Sequence, residues 1–143
     1  MGDEYFNKLG GRACFERVHK IFFGKLLSHP WLKGFFVGNN RDHLESQQTD
    51  FMPGLLGGPK IFGGRTPRDA HCHLFVTKEI FQIRHQLLGE YMAEAGVPLP
   101  LRERWLKLDA GFENALVKET VDECRGRYRT EPVIVVPKPD RLG

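Results

Sequence analysis

Cysteine is scarce in this chain: Cys14, Cys72 and Cys124 are the only three, and none forms a CxxC pair. An odd count without regular spacing excludes a disulfide framework and makes a reducing cytoplasm the expected compartment. Long apolar runs are also missing. No stretch reaches the roughly 18 apolar residues that a membrane helix needs, so no span is expected. The opening Met1-Gly2-Asp3-Glu4 is acidic and lacks the apolar core of a secretory signal. A large excess of one charge sign is missing too, 21 Lys and Arg against 18 Asp and Glu leaving +3 over 143 residues. That excess sits at one end. From Arg125 onward Arg125, Arg127, Arg129, Lys138 and Arg141 face only Glu131 and Asp140, and the rest balances at 16 against 16. A neutral body with a basic tail lacks the basic face that nucleic-acid binding requires. The tail reads as a solvated extension.

What is present describes one globular domain: 41% apolar and 27% charged residues. A chain of this length buries about 70% of its unfolded surface and needs no staples. Phenylalanine is abundant, at 11 residues, which suggests wide, flat spaces to fill.

Helical periodicity dominates. Phe15, Val18, Phe22 and Leu26 recur at spacings 3, 4 and 4, predicting a helix over about residues 12–28 between Gly10-Gly11 and Pro30. Leu44, Phe51 and Leu55 predict a second over roughly 41–56, capped by Asn39 or Asn40, bent by Pro53 and ended by Gly57-Gly58-Pro59. A glycine- and proline-rich loop fills 57–68, with a short helix expected from Thr66 to His73. A third long helix starts near Thr77 and closes at Gly96 and Pro98. Its main stripe is Ile80, Ile83, Leu87 and Tyr91, and Phe81, Leu88 and Met92 form a second. A fourth helix is expected from about Pro100 to Arg125, with Leu101, Trp105, Leu108, Phe112 and Leu116 inward. The β-like run Val133-Ile134-Val135-Val136 has no evident partner strand and reads as mobile or loosely packed.

Two positions break the apolar stripes. Gln48 falls on the inward face with Leu44, Phe51 and Leu55, and Gln47 lies beside it. A buried amide must find a partner or it costs a few kcal/mol. An internal bond to a backbone carbonyl is the simpler reading for Gln48 alone. His71 is the other, set against Leu74, Phe75 and Val76 after the glycine-rich loop. A lone histidine among apolar residues is more often a satisfied core residue than a ligand. In a chain this rich in phenylalanine, a neutral imidazole aimed into an apolar slot also suits the axial ligand of a planar iron macrocycle. Its second nitrogen would then be fixed by a backbone carbonyl or a water. Zinc fits poorly, because His71 and His73 point about 200° apart on a helix.

These residues, in this order, resemble the truncated haemoglobins, short globins with a two-over-two helical sandwich around haem. The resemblance covers about residues 5–98 and rests on Leu9-Gly10-Gly11, Phe22-Phe23, Pro30, Phe35-Phe36, Gln47-Gln48 with Phe51, Leu56-Gly57-Gly58-Pro59, Phe62, Gly64, His71, Phe81 and Gly96-Val97-Pro98. The uninterrupted Leu-Gly-Gly-Pro and the Phe-Phe corner look most like the first of the family's three groups. The resemblance implies an all-α fold holding haem b, with His71 as iron ligand. It implies Phe36 stacked on the haem and Leu44, Gln47 and Gln48 on the distal side. Phe51, Met52, Phe62, Val76, Phe81 and Leu88 would wall the pocket. Gln48 would donate to the gas ligand. Phe23 stands where the family usually has a tyrosine, whose hydroxyl is its chief donor to O2, and Arg84 stands where an apolar or tryptophan residue is common. Residues 1–125 would form the haem domain and 126–143 a basic extended tail.

The expected function is therefore a haem protein that binds O2, NO or CO. NO dioxygenase or peroxidase-like turnover is open to it, given a reductant that the sequence does not identify. A haem-based sensor or store acting through a partner, and a haem-free helical module, are the alternatives.

Overall fold

The computed structural model describes residues 3–8, 10–58, 60–128 and 130–140. Among these the chain is helical: α1 (Asp3–Lys8), α2 (Arg12–Leu26), α3 (Arg41–Phe51), α4 (Pro67–His71), α5 (Lys78–Glu94), α6 (Leu99–Ala110) and α7 (Glu113–Leu116). Short 3₁₀ turns lie at Leu32–Phe36, Met52–Leu55 and Val121–Glu123. The α2–α3 pair packs over the α5–α6 pair, with α2 also meeting α5. That is the expected two-over-two arrangement.

The predicted stripe of α2 is the centre of the core. Phe15, Val18, Phe22 and Leu26 are all buried, and the Phe15 ring lies 4.7 Å from Trp105 of α6. Asn40 caps α3 by accepting from the His43 amide at 3.0 Å, and Thr77 caps α5 by accepting from the Ile80 amide at 3.2 Å. Gly96 takes φ +83 just past α5, a backbone conformation that side-chain-bearing residues avoid, and so stops that helix. In the turn after α3, a Cβ at Gly58 would run into the Phe6 ring, so the chain needs glycine there.

Four expectations change. The second predicted helix does not stay α-helical to 56. It tightens around Pro53 into the 3₁₀ turn, whose 3.0 residues per turn shift the inward face. Met52, Pro53 and Leu56 are buried in consequence, and Leu55 is left exposed. On α5 the deeper stripe is Ile80, Phe81, Leu88 and Met92, whereas Ile83, Leu87 and Tyr91 are half-buried. That helix contacts both α2 and α6, so its buried arc is wider than one stripe. The fourth predicted helix breaks at Gly111, and Val117 already has extended dihedrals of φ −79 and ψ 137.

The tail, finally, is packed rather than free. Ile134 forms a parallel bridge with Leu74: its amide donates to the His73 carbonyl at 2.7 Å, and its carbonyl accepts from the Phe75 amide at 2.9 Å. Ile134 and Val136 pack on the core while Val135 faces out, the alternation of a strand. Trp31 Nε1 donates to the Val136 carbonyl at 2.9 Å, and Lys138 pairs with Glu79 at 2.7 Å. The partner of the valine run is thus the loop between α4 and α5, not another strand of the tail. Leu9, Pro59, Arg129 and Arg141 lie outside the described residues.

Candidate functional site

The best-defined candidate is His71, and the local sequence explains its placement. Thr66 caps α4 by accepting from the Asp69 amide at 3.2 Å, and Pro67 supplies a first residue that needs no donor. The helix lasts one turn and ends at His71. That turn brings the imidazole Nδ1 to 2.7 Å from the Pro67 carbonyl. A carbonyl only accepts, so Nδ1 carries the proton and Nε2 keeps its lone pair. Burial lowers the His71 pKa to about 4, the bond to Pro67 opposing this and the positive charges of Arg84 and Lys118 adding to it. At neutral pH the ring is therefore uncharged, with one nitrogen oriented by the protein and the other available to a metal.

The rings named for the pocket pair among themselves. Phe51 meets Phe62 edge-on at 5.2 Å and lies 5.9 Å from Phe112. Phe23 meets Phe36 edge-on at 6.2 Å. Met52, Val76, Phe81 and Leu88 are buried, while Phe36, Leu44, Phe51 and Phe62 are half-buried. On α3, Gln48 is half-buried and Gln47 exposed, consecutive residues being about 100° apart around a helix. Neither amide has a hydrogen-bond partner among the described residues. The internal bond that would make Gln48 a purely structural residue is thus missing. His43, the nearest other imidazole on α3, is exposed.

These residues fit haem: a neutral histidine with its far nitrogen fixed, ring-rich apolar walls, and an uncharged amide without a partner. The grouping of small aromatic clusters leaves no competing charge among the residues proposed for the walls.

Arg84 gains an account that the sequence did not give. Its guanidinium donates to both carboxylate oxygens of Asp109 at 2.7 Å, and His85 Nδ1 lies 2.6 Å from the same group. Asp109 is 3% exposed. Burial alone would raise its pKa, but the Arg84 charge and the bonds from His85 and Arg84 hold it below the usual carboxylate value. Arg84 and His85 also lie against the Phe81 ring, at 5.0 and 6.2 Å. The cluster therefore ties α5 to α6 beside the Phe81 ring. Asp109 was legible in principle, because it follows Trp105 by four residues on the inward face. The same holds for His19, four residues after Phe15, which is fully buried and bonded through Nδ1 to Thr49 Oγ1 at 2.9 Å.

Among the described residues no helix is long and apolar enough to cross a membrane. The sequence matches the bacterial-like globin family over residues 4–118. It is 33% identical over 92 residues to a group 1 truncated hemoglobin of Tetrahymena thermophila, covering 64% of this chain and 76% of that one. It is 30% identical over 93 residues to another from Mycolicibacterium paratuberculosis, covering 65% and 68%. The fold superposes on the crystal structure of truncated hemoglobin from Tetrahymena pyriformis in its Fe(III) form with a TM-score of 0.72, at 27% identity, over 80% of this chain and 98% of that one. The chain belongs to the bacterial-like globins and, within them, to the truncated haemoglobins: it is a haem-binding globin.

Proposed function

We propose that the protein binds haem b through His71 and takes up a diatomic gas, O2, NO or CO, on the side where α3 presents Gln48. The observation that carries this reading is the 2.7 Å bond from His71 Nδ1 to the Pro67 carbonyl, which leaves a neutral, oriented Nε2. Haem, when bound, supplies the iron that takes the gas and the redox chemistry that goes with it. The protein supplies the rest. His71 holds the group from one face, and Phe36, Leu44, Phe51, Met52, Phe62, Val76, Phe81 and Leu88 exclude water. Phe23 offers an apolar ring where a hydroxyl would donate, so Gln48 is the distal donor, with Gln47 beside it at the solvent edge. Consumption of NO is the enzymatic extension of this reading: NO, O2 and one electron make one nitrate. An external reductant of unidentified class would sustain it. We read residues 1–125 as the haem domain and 126–143 as its appended basic tail. Three unpaired thiols suit a cytoplasmic setting.

The absorption spectrum tests the core of this. Haem-loaded wild type should show a five-coordinate ferrous spectrum of the histidine type, with His43 too exposed to bind from the other side. His71→Ala should lose haem or hold it weakly. An unchanged histidine-type ferrous spectrum in His71→Ala would assign the ligand elsewhere.

A further inference from the structure

The α4 helix is one turn long, so it cannot stabilise its own end. Helix termini leave their last carbonyls unpaired, with negative potential gathered there. In this protein the Leu74 amide donates to the His71 carbonyl at 2.9 Å and the Val76 amide to the Leu74 carbonyl at 3.0 Å, and the chain that follows α7 supplies further partners. Val117 bridges to Val76, and the Lys118 amide donates to the Val76 carbonyl at 2.9 Å. The Lys118 side chain then runs beneath α4. Its ammonium donates to the carbonyls of His71 at 2.8 Å, Leu74 at 2.7 Å and Leu116 at 3.2 Å. The residue is only 9% exposed, and its three donors meet three acceptors. Farther along, the Arg125 amide takes the Cys72 carbonyl at 2.9 Å, and the Ile134 amide takes the His73 carbonyl at 2.7 Å. Every carbonyl from His71 to Leu74 is thus held by residues 118–134.

We propose that Lys118 is a positioning residue for the iron ligand, and that the C-terminal segment acts as a clamp on the proximal side. The proposal rests on the reading of His71 as that ligand. Residue 71 is gripped at two points: its ring by the Pro67 carbonyl, and its own carbonyl by the Lys118 ammonium together with the Leu74 amide. Two fixed points on one residue leave its ring little freedom to rotate or to slide along the helix axis. The orientation of Nε2, and through it the strength of the bond to iron, is then set by a lysine 47 residues away. Partners bonded directly to a ligand side chain typically change metal affinity or activity by about 10- to 100-fold when removed, and a partner on the ligand's carbonyl is expected at the lower end of that range. The valine run and the lysine before it belong to the same device, which explains why the tail is packed.

Resonance Raman of the ferrous holoprotein tests this through the iron–histidine stretching band. Lys118→Met keeps the unbranched stem as far as Cε and removes the ammonium with its three donors. It should shift or broaden that band and speed haem loss to an acceptor globin about tenfold. Leu101→Ala, in the core on α6, serves as a control of comparable stability loss and should leave the band in place. Lys118→Arg keeps the charge and should fall between wild type and Lys118→Met. A Lys118→Met band of wild-type frequency and width overturns the proposal, whatever haem retention does. If Lys118→Met does not fold, the native CO-ferrous protein decides. With ¹⁵N-lysine, the Lys118 ammonium protons should exchange slowly and couple to the His71 carbonyl across the hydrogen bond. Exchange as fast as that of exposed lysines overturns the proposal. Absence of any iron–histidine band in wild type removes the assignment of His71 and the clamp with it.

Discussion

Acid should destabilise this protein through His19 before its carboxylates are protonated. The side chain is 1% exposed, sits among Phe15, Phe23 and Trp105, and has Thr49 as its hydrogen-bond partner. Burial drops its pKa from 6.5 to about 3. The unfolded chain therefore takes up a proton below about pH 6.5 and the folded chain does not. Stability falls with falling pH by about 1.4 kcal/mol per unit across that window, until the folded-state pKa near 3 is reached. Between pH 7 and pH 4.5 the loss comes to about 2.5 kcal/mol. The variant His19→Gln retains a hydrogen-bonding group for Thr49 and removes the titration. Its packing cost is the same at every pH. Guanidinium unfolding of both haem-loaded proteins at several pH values gives the difference between them, in which the other histidines and carboxylates cancel. Wild type should lose about 2.5 kcal/mol relative to the variant over that range. A difference that stays constant with pH would refute the argument, and would mean that water or a structural opening reaches His19 in the native state.

Further outcomes follow from the distal side and from the helix-to-helix cluster. Gln48→Leu should speed O2 release about fivefold and leave CO release nearly unchanged, since a CO ligand carries less negative charge and a neutral donor is worth about 1 kcal/mol. Stopped-flow release rates check this, and no change in either ligand would remove Gln48 as donor. Phe23→Tyr should slow O2 release by adding a hydroxyl, read in the same measurement. Asp109→Asn should lower Tm by roughly 10 °C, because removing one member of a buried pair strands Arg84 and costs about 3 kcal/mol. A fall of under about 3 °C would show that the asparagine amide or a water satisfies Arg84.

The long helices were legible because their determinants are local. The 3-and-4 spacing of Phe15, Val18, Phe22 and Leu26 places one face inward regardless of what lies opposite, and Asn40, Thr66 and Thr77 each cap the helix that begins beside them. The errors arose where one residue outweighs periodicity. Pro53 tightened the end of α3 and turned Leu55 outward. Gly111 cut a run whose apolar spacing would otherwise have continued as a helix. His19 and Asp109 were visible as polar residues at inward positions, but their partners, Thr49, Arg84 and His85, lie 24 to 30 residues away.

The same division runs through the candidate site. The Pro67 carbonyl is one helical turn before His71, so an orienting bond to the ring's second nitrogen follows from placing a histidine at the end of a short helix. The grip on the His71 carbonyl does not. Lys118 reads as one charge among many in sequence, and the apolar Leu116 and Val117 before it do not show that the lysine itself is buried. Its role appears only when Val117 is seen to run beside Val76, because that pairing carries the lysine beneath the end of α4. The partner that decides between a mobile and a packed tail was hidden for the same reason. Ile134 has no strand to join, but it has an unpaired loop backbone at His73 and Phe75, and a single bridge suffices to hold it. A one-turn helix at a binding site creates that opportunity. The turn that follows it bonds the His71 and Leu74 carbonyls but not those of Cys72 and His73, which are met by the Arg125 and Ile134 amides, and the sequence around the helix cannot say which donors arrive.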